Sequence, residues 1–249
     1  MVRIDNELHH AEWLSTLRAP GSETDAYARV QHIMPSGFAR YVKLLHPIYV
    51  DPTVSDRAAS WHAAEAHEGF VGVKSGGTLV RESSHGHPRG ERVYWRQLAA
   101  RYGVPWSAEI NDASYTRRFP DKSWPRYLLG PDEGTLDDRM CQALVSVLSV
   151  EGRDQTTFFY YSGLSVLGYQ PRLYCGELEE VLTLDSDDLF ATPEYWWPQN
   201  RAWCVHTSWD LSFTLVGCSP PSAQAIENHA DLETILVSPT TRIDWRADE

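Results

Sequence analysis

Apolar positions recur at helical spacing in several stretches. Leu8, Ala11, Leu14 and Leu17 predict a helix over about Asn6 to Arg18, with Asn6 as its cap and Ala19-Pro20-Gly21 as its end. Met140, Cys141, Leu144, Val145 and Leu148 form one apolar face of a stronger helix. Thr135 followed by Asp138 reads as its capping box, and Gly152 closes it. Val93, Trp95, Leu98 and Ala99 predict a helix from Arg92 to Tyr102 ended by Gly103, and Pro220-Pro221 open another that runs to about His229.

Elsewhere the period falls toward two. Residues 156–161, 172–175, 180–184 and 232–237 read as strands, and 202–207 with 213–217 as a hairpin turning through Ser208 to Ser212. Tyr27 to His32 and Tyr41 to His46 read as an antiparallel pair about Pro35-Ser36-Gly37, although Phe38, Tyr41 and Leu45 would also suit a helix face. Residues 105–127, rich in aromatics and Pro, read as a packed loop. From about residue 47 to 90 periodicity is lost, with a short helical turn at 61–66 and a short strand at 70–73; an irregular segment of that length is functional or mobile in most proteins. The expected fold is α+β: an antiparallel or mixed sheet with helices packed mainly on one face, in a single globular domain over 1–249.

Four of the ten tryptophans fall between Glu194 and Asp210, beside Arg201, His206 and Asp210. Several phrases, including this one, carry a resemblance. They are Gly37-Phe38-Ala39-Arg40-Tyr41 leading to Leu45-His46-Pro47, Gly130-Pro131-Asp132-Glu133-Gly134-Thr135-Leu136, and Trp196-Trp197-Pro198-Gln199-Asn200-Arg201-Ala202-Trp203-Cys204-Val205. Asp210, Thr214, Val216-Gly217 and Leu232-Glu233 complete the set. Together they resemble an uncharacterised protein family common in actinobacteria, over about half of the chain. The resemblance implies one shared architecture and no assigned activity. Members of that family more often carry Asp where Asn200 stands and a second Gly where Cys218 stands. The first departure weakens any ion pair with Arg201.

Composition narrows the function classes. Acidic residues number 34 against 22 Lys and Arg, a net charge of -12, which repels nucleic-acid backbone and anionic lipid. No stretch approaches the length of a membrane span, and the N-terminus lacks the apolar run of a signal peptide. Cys141, Cys175, Cys204 and Cys218 form no CxxC pair and read as buried free thiols, which points to the cytoplasm.

Candidate chemistry is sparse. Trp196, Trp197, Arg201, His206 and Trp209 are the candidate binding residues, since aromatic faces with an arginine anchor partners. The competing reading makes the tryptophans core. Period-two alternation places Trp203, Val205 and Thr207 on one face of a strand and Cys204, His206 and Ser208 on the other. His206, Ser208 and Asp210 share an edge, which does not build a catalytic triad. Gly163-Leu164-Ser165-Val166-Leu167-Gly168 fails as a nucleophile elbow because Leu167 stands where glycine is needed.

His62, His85 and His87 are weak candidates for a metal site, and Asp185-Ser186-Asp187-Asp188 lacks the glycine and distal glutamate of a calcium loop. No phosphate loop or dinucleotide fingerprint occurs, and no cofactor is expected. The sequence therefore favours a binding protein that recognises a protein partner through an aromatic-rich surface, over an enzyme. The alternative is a metal-dependent enzyme using the histidine-rich segment 61–87 near the aromatic centre. Oligomeric state is left open.

Overall fold

The computed structural model describes residues 1–17, 28–60, 90–152, 154–163, 166, 168, 170–184, 189 and 191–248. In chain order it contains β1 (Val2–Arg3), a 3₁₀ helix (Asp5–Leu17) broken at Glu7, a helical turn α1 (Val30–Ile33), β2 (Arg40–Leu45) and β3 (Ile48–Val50). Next come β4 (Arg92–Val93), α2 (Trp95–Tyr102), α3 (Asp112–Thr116), β5 (Leu128–Leu129) and α4 (Asp138–Leu148). β6 (Thr157–Tyr161), β7 (Arg172–Gly176), a 3₁₀ helix (Leu178–Thr183), β8 (Tyr195–Pro198), β9 (Cys204–Thr207), β10 (Phe213–Cys218), α5 (Pro220–Glu227) and β11 (Thr234–Val237) follow.

Eight strands form one sheet in the order β1-β7-β6-β8-β9-β10-β2-β11, with every pairing antiparallel. A small sheet, β4-β3-β5, stands apart from it. The α+β class with an antiparallel sheet is as expected. The helices, however, are divided between the two faces. β8, β9 and β10 are buried at every position, so each of their faces needs a cover. Tyr41, Leu45, Trp197, Cys204, Phe213 and Leu215 meet Leu14, Ile33, Trp95, Leu98 and Tyr115 on one side. Val42, Leu44, Trp196, Trp203, Val205 and Val216 meet Met140, Leu144, Leu148 and Ile226 on the other. The predicted alternation along β9 holds.

Local signals decide several ends. Gly103 ends α2 at φ 64 in the left-handed region, as expected of a glycine cap. The start of α2 has no local side-chain cap. Instead Glu233, distant in sequence, accepts the Trp95 and Arg96 N–H groups at 2.8 and 2.9 Å. α4 is capped by Asp137, which accepts from Met140 N–H at 2.7 Å, and Thr135 lies outside the helix.

Other expectations give way. Residues 30–33 form a helical turn where a strand was expected, because Val30 and Ile33 bury at helical spacing. The strand expected at 180–184 is the 3₁₀ helix, opened by a reciprocal Glu177–Glu180 capping box. The expected loop 105–127 contains α3, capped by Asn111 through Ser114. β8, which was not expected from the sequence, pairs with β6 and ends on Pro198.

Candidate functional site

The tryptophan-rich stretch is scaffold. Trp196, Trp197 and Trp203 are 0%, 1% and 0% exposed. Neighbours on a strand with two covered faces enter opposite layers, so Trp196 and Trp197 present no surface to a partner. Trp196 meets Trp203 edge-on at 5.8 Å. Trp197 stacks on Phe158 at 5.7 Å, and Trp13 of the first 3₁₀ helix meets it edge-on at 5.6 Å.

His206 is buried as well. Its ring stacks on Tyr195 at 4.1 Å, its Nδ1–H donates to the Glu194 carbonyl at 3.0 Å, and Nε2 has no hydrogen-bond partner among the described residues. Burial pushes its pKa down to about 3, so the imidazole is neutral. Ser208 and Asp210 lie beyond the end of β9, one half-buried and one exposed, and the three do not form a relay. Trp209 is half-buried against the 130–134 loop. A Cβ on Gly134, at φ 70, would come within 3.0 Å of the Trp209 Cα.

Arg201 is exposed, in the turn between β8 and β9, at a left-handed φ of 54. Its N–H bonds the Pro198 carbonyl at 2.8 Å, while Asn200 Oδ1 accepts the Ala202 N–H at 3.0 Å. Asn200 therefore serves the turn, as Asp would, and no ion pair with Arg201 is involved. The guanidinium lies 4.7 Å over the Trp13 ring and makes no hydrogen bond or ion pair among the described residues.

Beside Arg201 a cleft of about 410 Å³ is walled by Trp13 and Phe38, with Ser36, Cys218 and Ser219 also in its lining. Gly217 makes room for the Phe38 wall: a Cβ there would fall 2.3 Å from its ring. Cys218 is 1% exposed, and burial pushes its thiol up to about 12, so it is an inert lining group. Trp13 and Phe38 escaped the sequence reading. Trp13 falls between the Leu and Ala positions of its helix stripe, and a signal for Phe38 existed only in the Gly37-Phe38 and Val216-Gly217 phrases, far apart in the chain.

A second polar cluster lies at the other end of β10. Lys43 is fully buried and donates to the Ala108 and Ile110 carbonyls at 2.8 and 2.6 Å, with its ammonium 4.7 Å from the Phe213 ring. Burial lowers its pKa to about 7. His46 donates from Nδ1 to the Asp132 carbonyl at 2.5 Å, so its Nε2 accepts from Thr214 at 2.9 Å, and Thr207 can then donate to Thr214 at 2.8 Å. Burial pushes His46 down to about 4. Glu133 is pushed up to about 7, first by burial and then by the Asp112 and Asp210 carboxylates. Ser212 donates to Asp112 at 3.2 Å. This network ties the 130–134 loop and α3 to the hairpin.

The five candidate binding residues are thus not brought together: Arg201 and Trp209 flank opposite ends of β9, and Trp196, Trp197 and His206 lie beneath the surface. His62, His85 and His87 fall outside the described residues, as do Ser165 and the run 185–188. Among the described residues no group of three or more His, Cys, Asp or Glu side chains could hold a metal ion. No helix there is long and apolar enough to cross a membrane. No family model, no curated protein and no solved structure matches this chain.

Proposed function

We propose that the protein acts by binding, and that a protein partner lodges a group in the Arg201 cleft. The observation that carries this reading is the arginine itself. It is exposed, held at a conformation unfavourable to any residue with a Cβ, seated on an aromatic ring, and left without a protein counter-ion among the described residues. Arg and Trp are the residue types that most often anchor partners, and this pair has a concave space beside it. The aromatic recognition expected from the sequence thereby shrinks from a tryptophan surface to one indole, Trp13, braced from below by Trp197. A cytoplasmic setting, consistent with four free cysteines, and the avoidance of nucleic acid by an acidic chain belong to the same proposal.

A photo-crosslinking residue in place of Ala39, which is exposed in the cleft lining, tests the reading in native cells. One discrete adduct is expected, lost on Arg201→Ala and kept on Trp209→Ala. An adduct pattern indifferent to Arg201 would sink the reading.

A further inference from the structure

We infer that the group taken into the cleft is a carboxylate, held by the Arg201 guanidinium with its apolar stem against Trp13 and Phe38; this rests on the binding role proposed above. Arg201 is the one cation among the cleft's lining residues. A guanidinium drawn to an aromatic face keeps N–H donors for a second partner, and their fork matches the two oxygens of a carboxylate. With no acid paired to it among the described residues, the fork is unspent. Phe38, admitted by the missing Cβ of Gly217, and Trp13 supply apolar walls for whatever carries the carboxylate.

Phosphate is the chemical rival, and the surroundings count against it. A phosphate dianion is held by several converging donors, often at a helix N-terminus. α5 starts at this cleft, but its first residues are Pro220 and Pro221, which have no N–H. The next donor, Ser222 N–H, is taken by the Ser219 hydroxyl oxygen, and that hydroxyl in turn donates to Glu151. The Glu151 carboxylate and a chain charge of -12 oppose a second negative charge. A single guanidinium suits a monoanion.

Calorimetric titration of the full chain with benzoate, phenyl phosphate and benzyl alcohol separates these classes. Benzoate is expected to saturate one site at least tenfold more tightly than either comparator. Arg201→Lys should weaken benzoate at least tenfold, since an ammonium has no fork, and Trp13→Leu should weaken it as well. Because residue 201 is exposed in a turn, an unchanged circular-dichroism melt certifies that the lysine variant is folded. Peptides ending in a phenylalanine acid or amide distinguish the source. Tighter binding of the peptide acid than of benzoate assigns a protein terminus, the reverse assigns a free small acid, and both outcomes support a carboxylate. Phenyl phosphate matching benzoate, or Arg201→Lys binding benzoate as well as the native chain, overturns the assignment. If the Ala39 adduct still depends on Arg201 in that event, only the ligand class fails. If that dependence is missing too, the binding role fails with it.

Discussion

The two ends of β10 handle charge in opposite ways. At the Phe213–Thr214 end, the Lys43 ammonium reaches two carbonyls, and His46, Thr214 and Thr207 form an ordered chain of donors and acceptors. At the Gly217–Cys218 end, Arg201 stands over Trp13 beside an open cleft, with no acid to neutralise it among the described residues. A buried polar group left unpaired costs the fold, so the first end is satisfied internally and has little to offer a ligand. An exposed guanidinium costs almost nothing unpaired and can give all its donors to a partner. Burial shifts Lys43, His46 and Glu133 at the first end, whereas Arg201 is exposed at the second.

The largest effect is expected beneath the open end. Trp197→Ala should destabilise by about 3–5 kcal/mol in denaturant titration, as for other large aromatic deletions in a core, and should also remove the brace under Trp13. If it weakens cleft binding no more than it weakens global stability, Trp197 has no positioning role. At the closed end, Thr214→Val strips the hydroxyl that both His46 and Thr207 use. A loss of about 1–3 kcal/mol is expected, with cleft binding unchanged. Gly217→Ala should cost a similar ~1–3 kcal/mol, because the new methyl must displace the Phe38 ring, but here cleft binding should fall too.

Proton linkage sharpens the same contrast. Between pH 7 and 10.5 the unfolded chain holds a proton on Lys43 that the folded chain has released, so stability from this group rises with pH across that window and is lost as pH falls to 7. Between pH 6.5 and about 4 the unfolded chain takes up a proton that buried His46 refuses, so its contribution is lost as pH drops. His206 acts in the same sense down to about 3. Stability profiles of Lys43→Met and His46→Gln should flatten in the alkaline and acid windows respectively, while Arg201 variants change neither slope. The smallest effect on stability belongs to Arg201→Gly. Relief of the left-handed conformation and the greater chain entropy of glycine nearly cancel, to within about 0.5 kcal/mol, yet cleft binding should vanish.

Periodicity made much of this fold legible. The α4 stripe, the Gly103 cap, the β9–β10 hairpin and the alternation that separates Trp203 from His206 were all readable, because each depends on residues a few positions apart. Reading failed where the deciding partner was remote. α2 is capped by Glu233, and the 30–33 turn, whose alternation suggested a strand, donates its Val30 and Gln31 N–H groups to the Thr241 and Pro239 carbonyls. The site failed for the same reason. Arg201 was legible as a candidate binding residue, but the Trp13 that seats it and the Phe38 that shares its cleft come from segments more than 150 positions earlier.

The sequence by itself determined the class of fold, most of its strands, and the presence of one arginine in an aromatic phrase, since those follow from local spacing and side-chain type. Only tertiary structure decided which indoles are buried and which one meets the arginine. A strand covered on both faces draws neighbouring tryptophans into opposite cores, and it is the antiparallel sheet, with the 3₁₀ helix laid across it, that brings Trp13 beneath Arg201.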